Sequence, residues 1–158
     1  MRGMKRMCNC KKALKVKIKK LHKDAVIPTY AKDGDAGMDM SCVAVSWTDD
    51  YIEYETGIAM KIPEGYFGAL FPRSSNSKKD LLLCNSVGVV DSGYVGPINF
   101  RYKVVNYKKQ SDDFYKLYDI GDRVGQIIIM PYPQVKFEEV EELDSTERGS
   151  LGFGSSGD

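Results

Sequence analysis

No stretch of a dozen residues in this chain keeps the apolar period of a helix, whereas short strand-like alternations recur along most of it. Near the start, Leu14, Val16 and Ile18 fall on one side and Lys15, Lys17 and Lys19 on the other, the pattern of a half-buried strand. Further strands are expected at 52–54, 57–62, 67–71, 81–84, 87–90, 98–105, 124–130 and 135–140. Turn formers separate them: Asp33-Gly34, Pro63-Glu64-Gly65, Asp91-Ser92-Gly93 and Gly121-Asp122. A short turn of helix is expected at 75–80, after Arg73-Ser74. This spacing predicts an all-β domain, a β-barrel or jelly roll.

Composition narrows what such a domain can do. With 158 residues, 42% hydrophobic and 28% charged, the chain suits one globular domain, expected over 13–144. A loose leader, 1–12, precedes it and a Gly/Ser-rich segment, 145–158, follows. The acidic run Glu138 to Glu142 reads as a solvated face. Lys plus Arg number 23 against 22 for Asp plus Glu, so no net field favours nucleic acid or an anionic membrane. The run Ile127-Ile128-Ile129-Met130 is too short to span a bilayer, and the first residues lack a signal peptide's apolar stretch. A cytoplasmic location is expected. Cys8 and Cys10 are too close for a structural crosslink, Cys42 and Cys84 lie in strand-like segments, and a reducing compartment fits all four. His22 is the only histidine, which disfavours both a zinc finger and a serine-histidine-acid hydrolase and places His22 on a solvated strand face.

Five segments carry polar residues or glycine where a plain strand would want apolar packing. Asp35-Ala36-Gly37-Met38-Asp39-Met40 takes a small-residue turn into a strand, and taken alone could be no more than that. Phe71-Pro72-Arg73-Ser74-Ser75 presents a guanidinium, two hydroxyls and a helix N-terminus, a set suited to phosphate oxygens or to a surface Arg beside a capping serine. Asn85 to Gly96 reads as a glycine-rich hairpin with Asp91 at its tip. Its backbone around Gly88, Val89 and Val90 could pair with a flat base, and Tyr94 could lie beneath a sugar; the plain alternative is a hairpin with a packed Tyr. In Gly121 to Ile127, Gln126 could donate to a phosphate, while Asp122 and Arg123 could form a structural pair. The tail from Arg148 to Gly157 offers free amides, the Ser155 and Ser156 hydroxyls, a fixed cation and the Phe153 ring for stacking on a base. A disordered linker of similar composition would rarely embed one aromatic and one Arg among its glycines.

In order and wording these segments resemble the five motifs of the trimeric dUTP diphosphatase family, over about Ala36 to Gly157. The resemblance implies a jelly-roll subunit that forms a homotrimer with shared active sites, each closed by the C-terminal segment as a flexible lid. It implies hydrolysis of dUTP to dUMP and pyrophosphate, which limits uracil in DNA and supplies dUMP for dTMP synthesis. Asp91 would orient and deprotonate the attacking water. Gly88, Val89 and Val90, with Asn85, would read uracil and exclude the thymine methyl, and Tyr94 would reject ribonucleotides. Arg73, Ser74, Ser75 and Gln126 would grip phosphates, and Arg148, Phe153, Gly154, Ser155 and Ser156 would form the lid. Mg2+ would ride on phosphate oxygens and water, with Asp39 acting through such waters and no direct protein ligand. If the source is viral, the location becomes the host-cell cytoplasm or nucleus.

Several positions depart from the family pattern: Leu151 for a second glycine, Ser156 for threonine, Ser75 for glycine and Met40 for leucine. The stretch Tyr107 to Asp119 is longer than a minimal connection. A dCTP deaminase of the same fold would need a glutamate soon after the hairpin, where this chain has Arg101. A nucleotide-dependent regulator is the rival from another class, and retention of Asp91 argues against loss of catalysis.

Overall fold

The computed structural model describes residues 13–105 and 115–150, and among them the alternating segments form nine strands. They are β1 (Lys17–Lys20), β2 (Met38–Ser41), β3 (Ala44–Trp47), β4 (Ile52–Lys61), β5 (Tyr66–Phe71), β6 (Leu81–Leu83), β7 (Gly88–Val90), β8 (Pro97–Val104) and β9 (Arg123–Pro131). The expected helical turn is a 3-10 turn at Ser74–Lys78. One antiparallel sheet has the order β1-β4-β8-β6, with β3 also on β4; the other has the order β2-β9-β5-β7. The architecture is the expected all-β jelly-roll type.

The period-2 pattern puts alternate side chains of both sheets into one core. Ile52, Tyr54, Phe100 and Tyr102 come from the first sheet, and Met40, Leu70, Val90, Val124 and Ile127 from the second. Tyr54 meets Tyr102 and Tyr118 edge-on, at 5.8 and 5.7 Å between ring centroids, an arrangement suited to the ring quadrupoles. Burial pushes the Tyr54 phenol up to about 12 and that of Tyr102 further still. Tyr102 satisfies its hydroxyl by donating to Val124 O at 2.6 Å.

Segments 52–54 and 57–62, expected as two strands, are joined in β4. The register against β8 slips between Glu55 and Ala59, around Gly57, whose φ is +63°. That left-handed value disfavours an L side chain, and a Cβ there would lie 2.7 Å from His22 Cβ. Thr56 bridges the break by donating its hydroxyl to Ile98 O at 2.6 Å. The break in alternation marks a bulge within one strand.

Other expectations need correction. β1 begins at Lys17 and its residues are exposed, because it is an edge strand. His22 lies in the turn after it, with its Nδ1 accepting from the Asp24 N–H at 3.2 Å. Cys42 and Cys84 sit just outside β2 and β6. The segment 85–96 is more than a hairpin: β6 and β8 pair in one sheet while β7, between them in sequence, crosses to pair with β5 in the other. Residues 135–140 form no strand; Val135 is 70% exposed and Phe137 90%. No ladder partner is available to them among the described residues. Among those residues no helix is long and apolar enough to cross a membrane. The leader 1–12, most of the 107–119 stretch and 151–158, including Leu151, Phe153, Gly154, Ser155 and Ser156, lie outside the described residues.

Candidate active site

β7 pairs with β5 on one side only. Its outer edge has no ladder partner among the described residues, so its N–H and C=O groups can be offered to something else. Alternation turns Gly88 and Val90 inward and leaves Val89 63% exposed. A concavity of about 230 Å³ lies along this edge, lined by Asn85, Gly88, Val89, Val90, Asp91 and Tyr94 among others. After β7 the chain turns, the Tyr94 N–H donating to Asp91 O at 3.0 Å, which sets the Asp91 carboxylate on the exposed rim. Tyr94 donates its hydroxyl to Pro97 O at 2.8 Å. Gly96 leaves room for that ring, since a Cβ there would lie 2.6 Å from the Tyr94 hydroxyl.

A second group gathers at Asp39. Arg73 Nε donates to Asp39 Oδ1 at 2.7 Å and Arg123 donates to Oδ2 at 2.9 Å. Arg73 also donates to Ser75 Oγ at 3.2 Å. Ser74 opens the 3-10 turn and is exposed. Gln126 lies opposite both Asp39 and Phe71 in the ladders, with one N–H on Pro72 O at 3.1 Å. Gly37 makes space for this amide, because a Cβ there would meet Gln126 Oε1 at 2.4 Å. The expected Asp122–Arg123 pair is absent: Arg123 holds Asp39, and Asp122 lies 3.7 Å from Lys79 Nζ. None of Asp39, Arg73 and Gln126 lines the Asp91 concavity. Arg148 lies in an exposed turn closed by the Gly149 N–H on Thr146 O at 3.1 Å.

Position 101, where a deaminase would carry glutamate, holds a guanidinium whose Nε donates to Glu53 at 2.5 Å. That contact raises the Arg101 pKa. Glu53 also accepts from Asn99 at 2.8 Å, so both its oxygens are engaged.

The dUTPase family model matches residues 23–157. The chain belongs to the dUTPase family. It is similar to the deoxyuridine 5'-triphosphate nucleotidohydrolase of Hydrogenobaculum sp., 36% identical over 148 residues covering 91% of this chain and 99% of that one. The enzyme of the same name from Escherichia phage T5 is 34% identical, over 90% of this chain and 98% of its own. The dUTPase of Staphylococcus bacteriophage 80alpha, solved with dUpNHpp, superposes with a TM-score of 0.72 at 33% identity, covering 90% of this chain and 98% of that one. This dUTPase is therefore an enzyme, a nucleotidohydrolase.

Sequence reasoning missed Arg123 as the second holder of Asp39, and missed the bond from Tyr118 to Asn76 at 3.1 Å. These contacts join residues 84 and 42 positions apart. No local spacing carries that information.

Proposed function

We propose that this dUTPase converts dUTP to dUMP and pyrophosphate by attack of water on the α-phosphorus, with Asp91 as the base. The observation that carries this reading is the unpaired β7 edge beside an Asp91 carboxylate on the rim of one concavity. Uracil pairs with the backbone of Gly88, Val89 and Val90, assisted by Asn85, and the thymine methyl has no room. Tyr94 lies against the sugar, where a 2′-hydroxyl would clash. Asp91 takes a proton from water as its oxygen bonds to the α-phosphorus, and the bond to the bridging oxygen of pyrophosphate breaks.

Arg73, Ser74, Ser75 and Gln126 grip the phosphates. Arg73 is preorganised by Asp39, which removes part of the entropy cost of holding a guanidinium in place. Because the phosphate group and the base concavity do not share a lining within one chain, a complete site draws on neighbouring copies in a homotrimer. The exposed apolar side chains Val135, Phe137 and Leu143 support such assembly, as a monomer would gain by covering them. The segment 145–158 closes the site through Arg148, Phe153, Gly154, Ser155 and Ser156.

Among the described residues no three His, Cys, Asp or Glu side chains group to hold a metal. A Mg2+ carried by triphosphate oxygens and water would need only an acceptor for its waters. Asp39 has lone pairs left beyond those taken by Arg73 and Arg123. Bound there, the ion would neutralise charge on the departing pyrophosphate. In the cytoplasm the reaction would limit uracil incorporation into DNA and supply dUMP for dTMP synthesis.

The test is pyrophosphate release from dUTP, dCTP, dTTP and UTP with Mg2+. Release from dUTP alone is expected. Equal release from UTP or dTTP would contradict the roles of Tyr94 and the β7 edge.

A further inference from the structure

Tyr118 lies next to the end of the 107–119 stretch and is only 5% exposed, so its hydroxyl must find partners inside the protein. Those partners lie on the Arg73-Ser74-Ser75 turn. The Tyr118 hydroxyl donates to Asn76 Oδ1 at 3.1 Å, and the Asn76 N–H donates to Arg73 O at 2.9 Å. The Asn76 amide cannot flip to serve another role, because its Nδ2 donates to Leu81 O at 2.8 Å. Ser75 in turn accepts from Arg73 at 3.2 Å, and Arg73 donates to Asp39. The Tyr118 ring is fixed edge-on to Tyr54 and lies beneath the Lys79 ammonium at 4.7 Å. The backbone adds a second tie: the Lys116 N–H donates to Asp80 Oδ2 at 2.7 Å, and the Asp80 N–H to Lys116 O at 3.0 Å.

We propose that Tyr118 is a positioning residue for phosphate binding, its hydroxyl fixing Asn76 so that the turn holding Arg73 and Ser75 keeps their phosphate-gripping geometry. This rests on the reading of Arg73 and Ser75 as phosphate ligands. It gives the end of the long connection between β8 and β9 a role: it clasps the phosphate turn against the aromatic core. A phenylalanine keeps the ring packing and loses only the hydroxyl, so Tyr118→Phe separates positioning from folding.

The experiment measures inhibition of dUTP hydrolysis by dUpNHpp and by deoxyuridine, which has no phosphate, for the wild type, Tyr118→Phe, Ser75→Ala, the double variant and Arg73→Ala. Tyr118→Phe is expected to weaken dUpNHpp about tenfold, the scale of one lost hydrogen bond, and to leave deoxyuridine within about twofold. Ser75→Ala and Tyr118→Phe should be non-additive, as members of one network. Equal weakening of both ligands, or unchanged dUpNHpp inhibition in Tyr118→Phe while Arg73→Ala loses it, would overturn the proposal. If Arg73→Ala also keeps full affinity for dUpNHpp, the phosphate reading of the turn fails first, and the role of Tyr118 with it.

Discussion

Arg73 and Asp39 are joined by a 2.7 Å bond between Nε and Oδ1, while Nη1 of the same guanidinium donates to Ser75 Oγ at 3.2 Å. The segment around Asp39 thereby orients the segment proposed to meet phosphate. Arg123 on the other carboxylate oxygen, at 2.9 Å, makes the arrangement a three-residue bridge across β2, β9 and the end of β5.

Asp39→Ala should therefore act on activity more than on folding. Loss of a charge-assisted hydrogen bond of about 1.5–3 kcal/mol predicts a drop in kcat/KM of roughly 10- to 150-fold. The melting temperature should change little, because Asp39 is only partly buried. Steady-state kinetics beside a thermal melt would check both halves.

Gly57→Ala tests the bulge in β4. The left-handed φ of +63° and the 2.7 Å approach of His22 Cβ both oppose a side chain, and a destabilisation of about 1–3 kcal/mol is expected in urea unfolding. A neutral result would mean that the strand can shed its register slip.

Stability should fall on the alkaline side. Burial raises the Cys42 thiol from 9.0 to about 11 and the Tyr54 phenol from 10.0 to about 12. The unfolded chain releases these protons first. Both groups keep their protons in either state below pH 9 and add no slope there; above it the unfolded state binds fewer protons, and stability is lost as pH rises towards 11 and 12. Denaturant titrations at intervals from pH 8 to pH 11 under reducing conditions should show the decline, and Cys42→Ala should flatten it between 9 and 11.

Much of the concavity was legible in the sequence because its lining is local: Asn85, Gly88, Val89, Val90, Asp91 and Tyr94 lie within one short run. The crossing of β7 to the other sheet was not, since alternation tells which side a residue faces but not which strand lies beside it. The ties of Asp39 to Arg73 and Arg123 depend on ladder register, which brings together residues 34 and 84 positions apart. The alternation at 135–140 has the same limit. It marks a segment able to pair, and in this chain it has no partner among the described residues.

If that segment assembles the proposed homotrimer, replacing Phe137 and Val140 by Asp should shift sedimentation from trimer to monomer. Activity should be lost while the core melt persists. A trimer unaffected by both changes would place the assembly surface elsewhere.

The most direct test of the catalytic role is Asp91→Asn, which keeps the shape of the side chain and removes the base. With saturating dUTP and Mg2+, pyrophosphate release should fall by a factor of about 100–10,000, the usual worth of a positioned base, while dUpNHpp still binds. Release at the wild-type rate would contradict the assignment of Asp91 and with it the mechanism.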